Sequence, residues 1–337
     1  MRNLVLGVAG EPHIHDFIAR GPGRNLARRF VAGETLDEAL VAAEELAANG
    51  KRVSLDYLGE AVANWAEAEH AAEVYRQTID RLKERQISAS LSLKPTQFGL
   101  KLAPERCADL LEGVVRAARA VPVGVRLDME DASCTEATLE LWEELSRREA
   151  PVGVVLQAAL YRTPADLERV IEGGGSVRLC KGAYAEPARI AYPAKSDVDA
   201  AYADLLERLL AYAATTPVPT PGQLPRAAIA THDERLIRLA TRLIYTHNLD
   251  ARKYEFQMLY GVRRDLQEKL IGQGYPLRVY TPWGPSWYPY LTRRLAERPA
   301  NLVFFGSSLL AELTSRKRNH FRTTPTRTTP QIPSNPV

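Results

Sequence analysis

The chain has 337 residues, 45% of them hydrophobic and 25% charged, with a formal net charge of +3; this is ample for a core and ordinary for a soluble protein, and the length allows one large domain or two smaller ones. Three cysteines, Cys107, Cys134 and Cys180, stand far apart with no CxxC pair, which argues against a zinc site or a disulfide framework and fits a reducing compartment. No run approaches the roughly 20 apolar residues of a membrane span, so the protein is expected to be soluble, or at most attached to a membrane surface.

The start, MRNLVLGVAGEPHIHDF, puts one arginine before a short apolar run. It lacks a signal-peptide core and cleavage site and reads as the start of a helix. The first fifty residues read as helical. Within them, TLDEALVAAEELAANGK offers Thr35 as an N-cap, Glu38 three residues on, and Gly50 as the stop. After that, short apolar runs alternate with longer helical patterns, the rhythm of βαβ units and a parallel sheet. The runs are RVSLDYLG (52–59), SASLSLKP (88–95), VGVRLDME (123–130), GVVLQAAL (153–160), SVRLCKGA (176–183), RAAIATHD (226–233), KYEFQMLYG (253–261) and LRVYTPWG (277–284). Segments such as EHAAEVYRQTIDRLKERQ and PADLERVIEGG supply the helices between them. Eight such units predict an α/β protein built as a (β/α)8 TIM barrel. A doubly wound sheet would carry a GxGxxG fingerprint, and none is present.

Beyond the eighth run comes YPYLTRRLAER (288–298). On a helix Tyr290, Arg293 and Arg294 share a face, with Glu297 in reach of both guanidiniums. Adjacent arginines suit a forked clamp for a carboxylate or phosphate; taken alone, the stretch is read first as a solvated face stapled by weak ion pairs. From Thr314 onward there are five basic residues, Arg316, Lys317, Arg318, Arg322 and Arg327, and no acid. The rest of the chain therefore carries 3 − 5 = −2, and the basicity belongs to the tail. Rich in Thr and Pro, the tail is expected to be disordered, with an inert or solubilising role favoured over a membrane-surface one and no nucleic-acid partner expected. The domains expected are a helical segment over 1–50, the barrel over 51–305 and the tail over 306–337.

Active sites of such barrels lie at the C-terminal strand ends. Those ends here carry Asp56, Lys94, Asp128, Gln157, Lys181, His232, Gln257, and Tyr280 with Thr281. Singly, each would simply exit to solvent; eight around one mouth converge into a site, because buried polar groups without partners are costly. Lys94 and Lys181 suit either Schiff-base chemistry or service as fixed cations. Alternation puts Arg178 and Cys180 on one side of their strand and Leu179 on the other. An inward arginine needs a partner: a carboxylate, a phosphate, an electron-rich ring, or an internal ion pair. His232, in THDE, stands where an anion is welcome, or serves as a helix cap or surface residue. Asp128, Glu130 and Asp131 form an acidic cluster whose members point different ways. No His/Asp/Glu set has metal-ligand spacing.

The motifs SLKPT, RLDMED, LQAAL, VRLCKGAY, THDE, YEFQMLYG and YLTRRLAER, in this order and near these spacings, resemble those of proline dehydrogenases, most of all their monofunctional bacterial form. The likeness runs from the N-terminal helices to about residue 305. It implies a distorted (β/α)8 barrel with FAD at the strand C-termini and the last helix over the barrel mouth. It implies that Arg293 and Arg294 clamp the proline carboxylate, with Lys94 as a third cation and Tyr290 against the pyrrolidine ring. Glu60 matches a glutamate that pairs with the second arginine as a gate.

By the same resemblance Gln157 and Arg178 lie beside the flavin, and Met129, Lys181, Gly182, Ala183, Thr231 and His232 contact FAD. Lys195 aligns loosely with a phosphate-binding lysine. Asp128 matches a strand-end aspartate treated as catalytic and is expected to orient Lys94 or Tyr280. Arg178 would stabilise negative charge on the reduced flavin and counts as catalytic with it. Tyr280 favours proline, since the related hydroxyproline enzymes have a smaller residue there. Cys180 and Met129 depart modestly from the family pattern.

The implied reaction is oxidation of L-proline to Δ1-pyrroline-5-carboxylate, the first step of proline catabolism to glutamate, with electrons passed to a membrane quinone. It implies a cytoplasmic protein, peripheral at the inner face of the cell membrane. A separate pyrroline-5-carboxylate/glutamate semialdehyde dehydrogenase would take the next step, because the sequence carries no such module. The competing readings are a barrel lyase using Lys94 or Lys181, and a non-catalytic binder acting through the basic tail.

Overall fold

The structure, a computed structural model, describes residues 27–148 and 152–297, with side chains as far as Thr292. The expected opening helix and the basic tail lie outside the described residues. The chain divides into two compact units, Arg28–Trp287 on the one hand and Met1–Ala27 with Tyr288–Val337 on the other.

Within the larger unit every one of the eight apolar runs forms a strand: β1 (Arg52–Tyr57), β2 (Ala89–Leu93), β3 (Gly124–Leu127), β4 (Gly153–Gln157), β5 (Ser176–Cys180), β6 (Ala227–Ala230), β7 (Tyr254–Leu259) and β8 (Leu277–Trp283). They pair in chain order, all parallel, and β8 closes on β1 to complete a barrel. Between them run α1 (Leu36–Ala48, before β1), α2 (Trp65–Glu84), α3 (Pro104–Arg119), α4 (Thr135–Arg148), α5 (Thr163–Glu172), α6 (Lys195–Thr215), α7 (Glu234–Thr246) and α8 (Arg264–Gly272).

Local chemistry sets the helix ends. Thr35 and Glu38 form a reciprocal capping box at the start of α1, and Gly50, just past its end, has φ +72, the left-handed backbone that glycine adopts freely. Asn64 caps α2 by accepting the Glu67 N–H at 3.0 Å.

The period of two along each strand decides where the core sits. Val53 and Leu55 of β1, Leu91 and Leu93 of β2, and Val177 and Leu179 of β5 join the hydrophobic core outside the barrel, packed beneath the helices. Each such fully buried side chain contributes about 1.5–3 kcal/mol. The alternate residues face inward, and they are polar. Ser54 and Ser92 hydroxyls meet at 3.0 Å, Arg278 Nε donates to Glu255 Oε1 at 2.7 Å, and Arg278 Nη1 donates to Ser90 Oγ at 3.0 Å. Branched aliphatic residues usually dominate a barrel interior. Here a hydrogen-bonded lattice fills it, in which Arg278 and Glu255 offset each other's burial and Arg126 donates to the Val154 and Ser176 carbonyls.

A final helix, α9 (Trp287–Glu297), carries Tyr290, Arg293 and Arg294. Pro289 sits in its first turn, where a missing N–H costs nothing, and the Thr292 hydroxyl donates to the Pro289 carbonyl at 2.9 Å. The side chains of Arg293, Arg294 and Glu297 lie outside the described residues.

Candidate active site

At the C-terminal end of the barrel, residues from β1, β2, β3, β5, β7 and β8 meet in one network. Lys94, immediately after β2, pairs with Asp56 of β1, and its Nζ lies 3.4 Å from the Tyr280 hydroxyl of β8. Tyr280 donates to Asp128 Oδ2 at 2.6 Å, while Arg178 Nη1 donates to Asp128 Oδ1 at 2.5 Å. Arg178 also donates through Nε to Gln257 Oε1 at 2.5 Å and through Nη2 to Ser92 Oγ at 2.9 Å. Its guanidinium carbon stands 5.1 Å from the centre of the Tyr280 ring, within cation–π range. Arg178 therefore meets both a carboxylate and an electron-rich ring.

Burial and charge tune these groups. Burial alone would lower the Lys94 pKa, but the Asp56 and Asp128 carboxylates overcome it and hold it above its usual value. Burial raises Asp56 despite the opposing pull of Lys94, and Asp128 raises it further. Burial, with Asp128 and Asp56, keeps the Tyr280 hydroxyl well above the ordinary phenol range, so it remains a donor. A Schiff base needs a neutral amine, and Lys94 is a held cation. Lys181 is likewise paired, with Asp199 at 2.5 Å and Asp233 at 3.1 Å. Geometry thus favours fixed cations over the lyase reading.

The remaining strand ends serve different purposes. Gln157, the last residue of β4, donates through Nε2 to the Glu130 carbonyl at 2.8 Å. The Glu130 carboxylate accepts from the Thr96 N–H at 3.0 Å and from the Thr96 hydroxyl at 2.5 Å. That same hydroxyl accepts the Ala61 N–H at 2.9 Å, so the half-buried Glu60 sits on a loop tied to the end of β3. Met129 is buried in the apolar core, and Thr281 is buried with its hydroxyl returned to the Val279 carbonyl.

His232 is not the cap of α7. Asp233 takes that role, accepting the Arg235 N–H at 3.0 Å, while His232 Nε2 accepts the Leu259 N–H at 3.0 Å and links β6 to β7. Thr231 Oγ1 accepts the Asp233 N–H at 3.1 Å. Three cations, Lys181, Lys195 and Arg235, share the carboxylates of Asp199 and Asp233. Burial would raise Asp233, but Lys181 and the Arg235 N–H bring it down to about 2. Sequence reasoning missed Asp199 and Asp233 because their partners lie in separate elements; the i, i+4 spacing of Lys195 and Asp199 on α6 was the one available signal.

The chemistry of these residues fits a flavin nucleotide. Three cations against two carboxylates leave one positive charge beside the N-terminus of α7, a place that suits a diphosphate. Gly182, with φ +109, stands where an added Cβ would come within 3.2 Å of Gln157 Oε1, so glycine lets the Lys181–Ala183 backbone pack closely against Gln157 at the mouth. Arg178 supplies a buried inward cation at the barrel mouth.

Fold and site together define a (β/α)8 barrel whose mouth joins fixed cations to a buried carboxylate and phenol. The family model "Proline dehydrogenase" matches residues 39–306. Proline dehydrogenase from Deinococcus radiodurans is 37% identical over 317 residues, 92% of this chain and 97% of its own length. Proline dehydrogenase 1 of Bacillus subtilis is 37% identical over 284 residues, 84% of this chain and 90% of its own. Among solved structures, proline utilization A (PutA) from Bdellovibrio bacteriovorus, inactivated by N-propargylglycine, superposes with a TM-score of 0.72 at 27% identity. That match covers 80% of this chain, which spans about a third (32%) of the solved one. The chain belongs to the proline dehydrogenase family, oxidoreductases that open proline catabolism. Among the described residues no helix is long and apolar enough to cross a membrane.

Proposed function

We propose that this chain oxidises L-proline to Δ1-pyrroline-5-carboxylate at the barrel mouth, with FAD as cofactor. The single observation that carries the reading is the network from Lys94 through Tyr280 and Asp128 to Arg178, which combines a substrate cation with a cofactor cation. FAD, when bound, would supply at N5 the acceptor for the hydride from proline C5 and the route for its electrons to a membrane quinone.

The residues that would hold FAD are Arg178 and Gln157 beside its ring, with Met129, Lys181, Gly182, Ala183, Thr231 and His232 around the remainder. Lys94 binds the substrate carboxylate with Arg293 and Arg294 of α9. Tyr290 packs the pyrrolidine ring, and Tyr280 limits space near it. Glu60, by the family resemblance, would act as a gate with Arg294 that excludes water. Asp128, which by the resemblance matches a catalytic aspartate, holds Tyr280 and Arg178 in place for the oxidation of proline, whose ring nitrogen is deprotonated. The protein works in the cytoplasm in peripheral contact with the membrane that holds the quinone. Its product passes to a separate pyrroline-5-carboxylate/glutamate semialdehyde dehydrogenase.

The test is the visible spectrum of the purified protein before and after anaerobic addition of L-proline. Flavin bands that bleach establish cofactor, substrate and direction of electron flow. A bound flavin indifferent to proline overturns the substrate; a colourless protein that FAD does not reconstitute overturns the whole reading.

A further inference from the structure

Below the mouth, a second tier of the barrel interior determines how Arg178 points. Glu255 and Gln257, two residues apart on β7, both face inward, with 0% and 3% exposure. Glu255 Oε1 accepts from Arg278 Nε at 2.7 Å and from Gln257 Nε2 at 2.6 Å, and Oε2 accepts from Arg52 Nη1 at 3.2 Å. Burial would push this carboxyl up, but Arg278, and Arg52 after it, bring it to about 2, so it is an anion with only acceptors to offer.

An amide has one donor end and one acceptor end. Over an ionised carboxylate the Gln257 amide has a single satisfactory orientation, NH2 down and carbonyl up. Turned over, it would set oxygen against Glu255 and NH2 against the Arg178 Nε–H. The carbonyl so directed takes the Nε–H of Arg178 at 2.5 Å. Asp128 and Ser92 take one N–H from each terminal nitrogen. Three of the five guanidinium N–H groups are thereby held, from β7, from β2 and from the residue just after β3, which fixes both the position and the plane of the group.

We infer that Gln257, with its amide orientation dictated by Glu255, is a positioning residue that aims the Arg178 guanidinium for the redox step. The inference rests on the flavin reading above and adds to it a determinant buried beneath the site. Asp128 and Ser92 act only on the terminal nitrogens, and Gln257 alone among the described residues holds Nε. Without it the planar guanidinium is held through its terminal nitrogens alone and can tilt about its Cδ–Nε bond, and its charge is no longer preorganised toward the acceptor.

The decisive pair of variants is Gln257→Met and Gln257→Glu, purified with bound FAD and compared with the wild type in flavin reduction potential, in kcat and KM for L-proline, and in thermal stability. Methionine keeps the volume and removes both hydrogen bonds. It should lower the stability of the reduced flavin about tenfold, a shift of about 30 mV to lower potential for a two-electron couple, with kcat falling about tenfold and KM little changed. Glutamic acid, sharing one proton with the adjacent Glu255, again offers a donor downward and an acceptor upward. It should recover most of both losses at low pH and lose that recovery as pH rises and the shared proton leaves. A loaded, folded Gln257→Met enzyme with wild-type potential and kcat overturns the inference, as does a Gln257→Glu enzyme no better than methionine at any pH. A wild-type protein that holds no flavin overturns the reading on which it rests, a different and separately visible result.

Discussion

Replacing Lys94 by methionine tests whether the mouth is held by a buried ion pair. Asp56 is fully buried. Its Oδ1 accepts from Lys94, and its Oδ2 has no hydrogen-bond partner among the described residues. Removing one member of such a pair costs about 3–5 kcal/mol if the other stays charged. Asp56 has an escape, because it can take up a proton. Burial already raises its pKa and Lys94 is the chief opposing influence, so the lysine's removal raises it further, well above the unfolded value of about 3.9.

The sign follows from that direction. A folded-state pKa raised above the unfolded one means that the folded form binds a proton the unfolded form releases. Stability is then greatest below the unfolded pKa and falls as pH rises toward the folded pKa, by up to about 1.4 kcal/mol per pH unit. Lys94→Met should therefore lose more stability at about pH 8 than at about pH 5.5. Adding Asp56→Asn should restore most of the loss at the higher pH, since no charge then remains to strand. The assay is urea denaturation followed by tryptophan fluorescence for the wild type, the single variant and the double variant at both pH values. A loss below about 1 kcal/mol at the higher pH, independent of pH and unrelieved by Asp56→Asn, would show that the pair does not bear on stability as argued.

Two further outcomes are expected. Asp128→Asn keeps the shape but gives Tyr280 and Arg178 only one acceptor between them; loss of a charged hydrogen bond worth about 1.5–3 kcal/mol should lower kcat/KM for L-proline by about ten- to a hundredfold, measured by steady-state kinetics with a quinone analogue. Gly261→Ala places a Cβ 1.7 Å from the Arg29 carbonyl oxygen at a φ of +72, so it should cost more than about 1 kcal/mol by thermal denaturation, with the loop between β7 and α8 displaced.

What the sequence disclosed and what it withheld divide along a physical line. Strand positions were legible because the information is local: in RVSLDY, Val53 and Leu55 alternate with Ser54 and Asp56, and only one face can meet a hydrophobic core. The same alternation already turned Arg178 inward, and the strand ends already carried Asp56 and Gln257. It could not tell which inward group meets which, because those pairings join residues far apart in the chain and exist only once the strands have assembled. Asp56 finds Lys94 across 38 positions, and Arg178 finds Asp128 across 50. His232 shows the opposite limit. THDE promises a helix start, and the helix starts there, but the neighbouring Asp233 supplies the cap because an acidic side chain accepts the exposed N–H groups better than an imidazole. That leaves His232 to satisfy a β7 backbone N–H that no local pattern foretells. Glu255 and Gln257 combine both lessons. Their spacing of two was visible in YEFQML, yet their chemical meaning depends on Arg278, Arg52 and Arg178 arriving from other strands. Closure converts a row of individually unremarkable polar residues into an orientation carried from the barrel floor to its mouth, and the strand ends alone do not contain it.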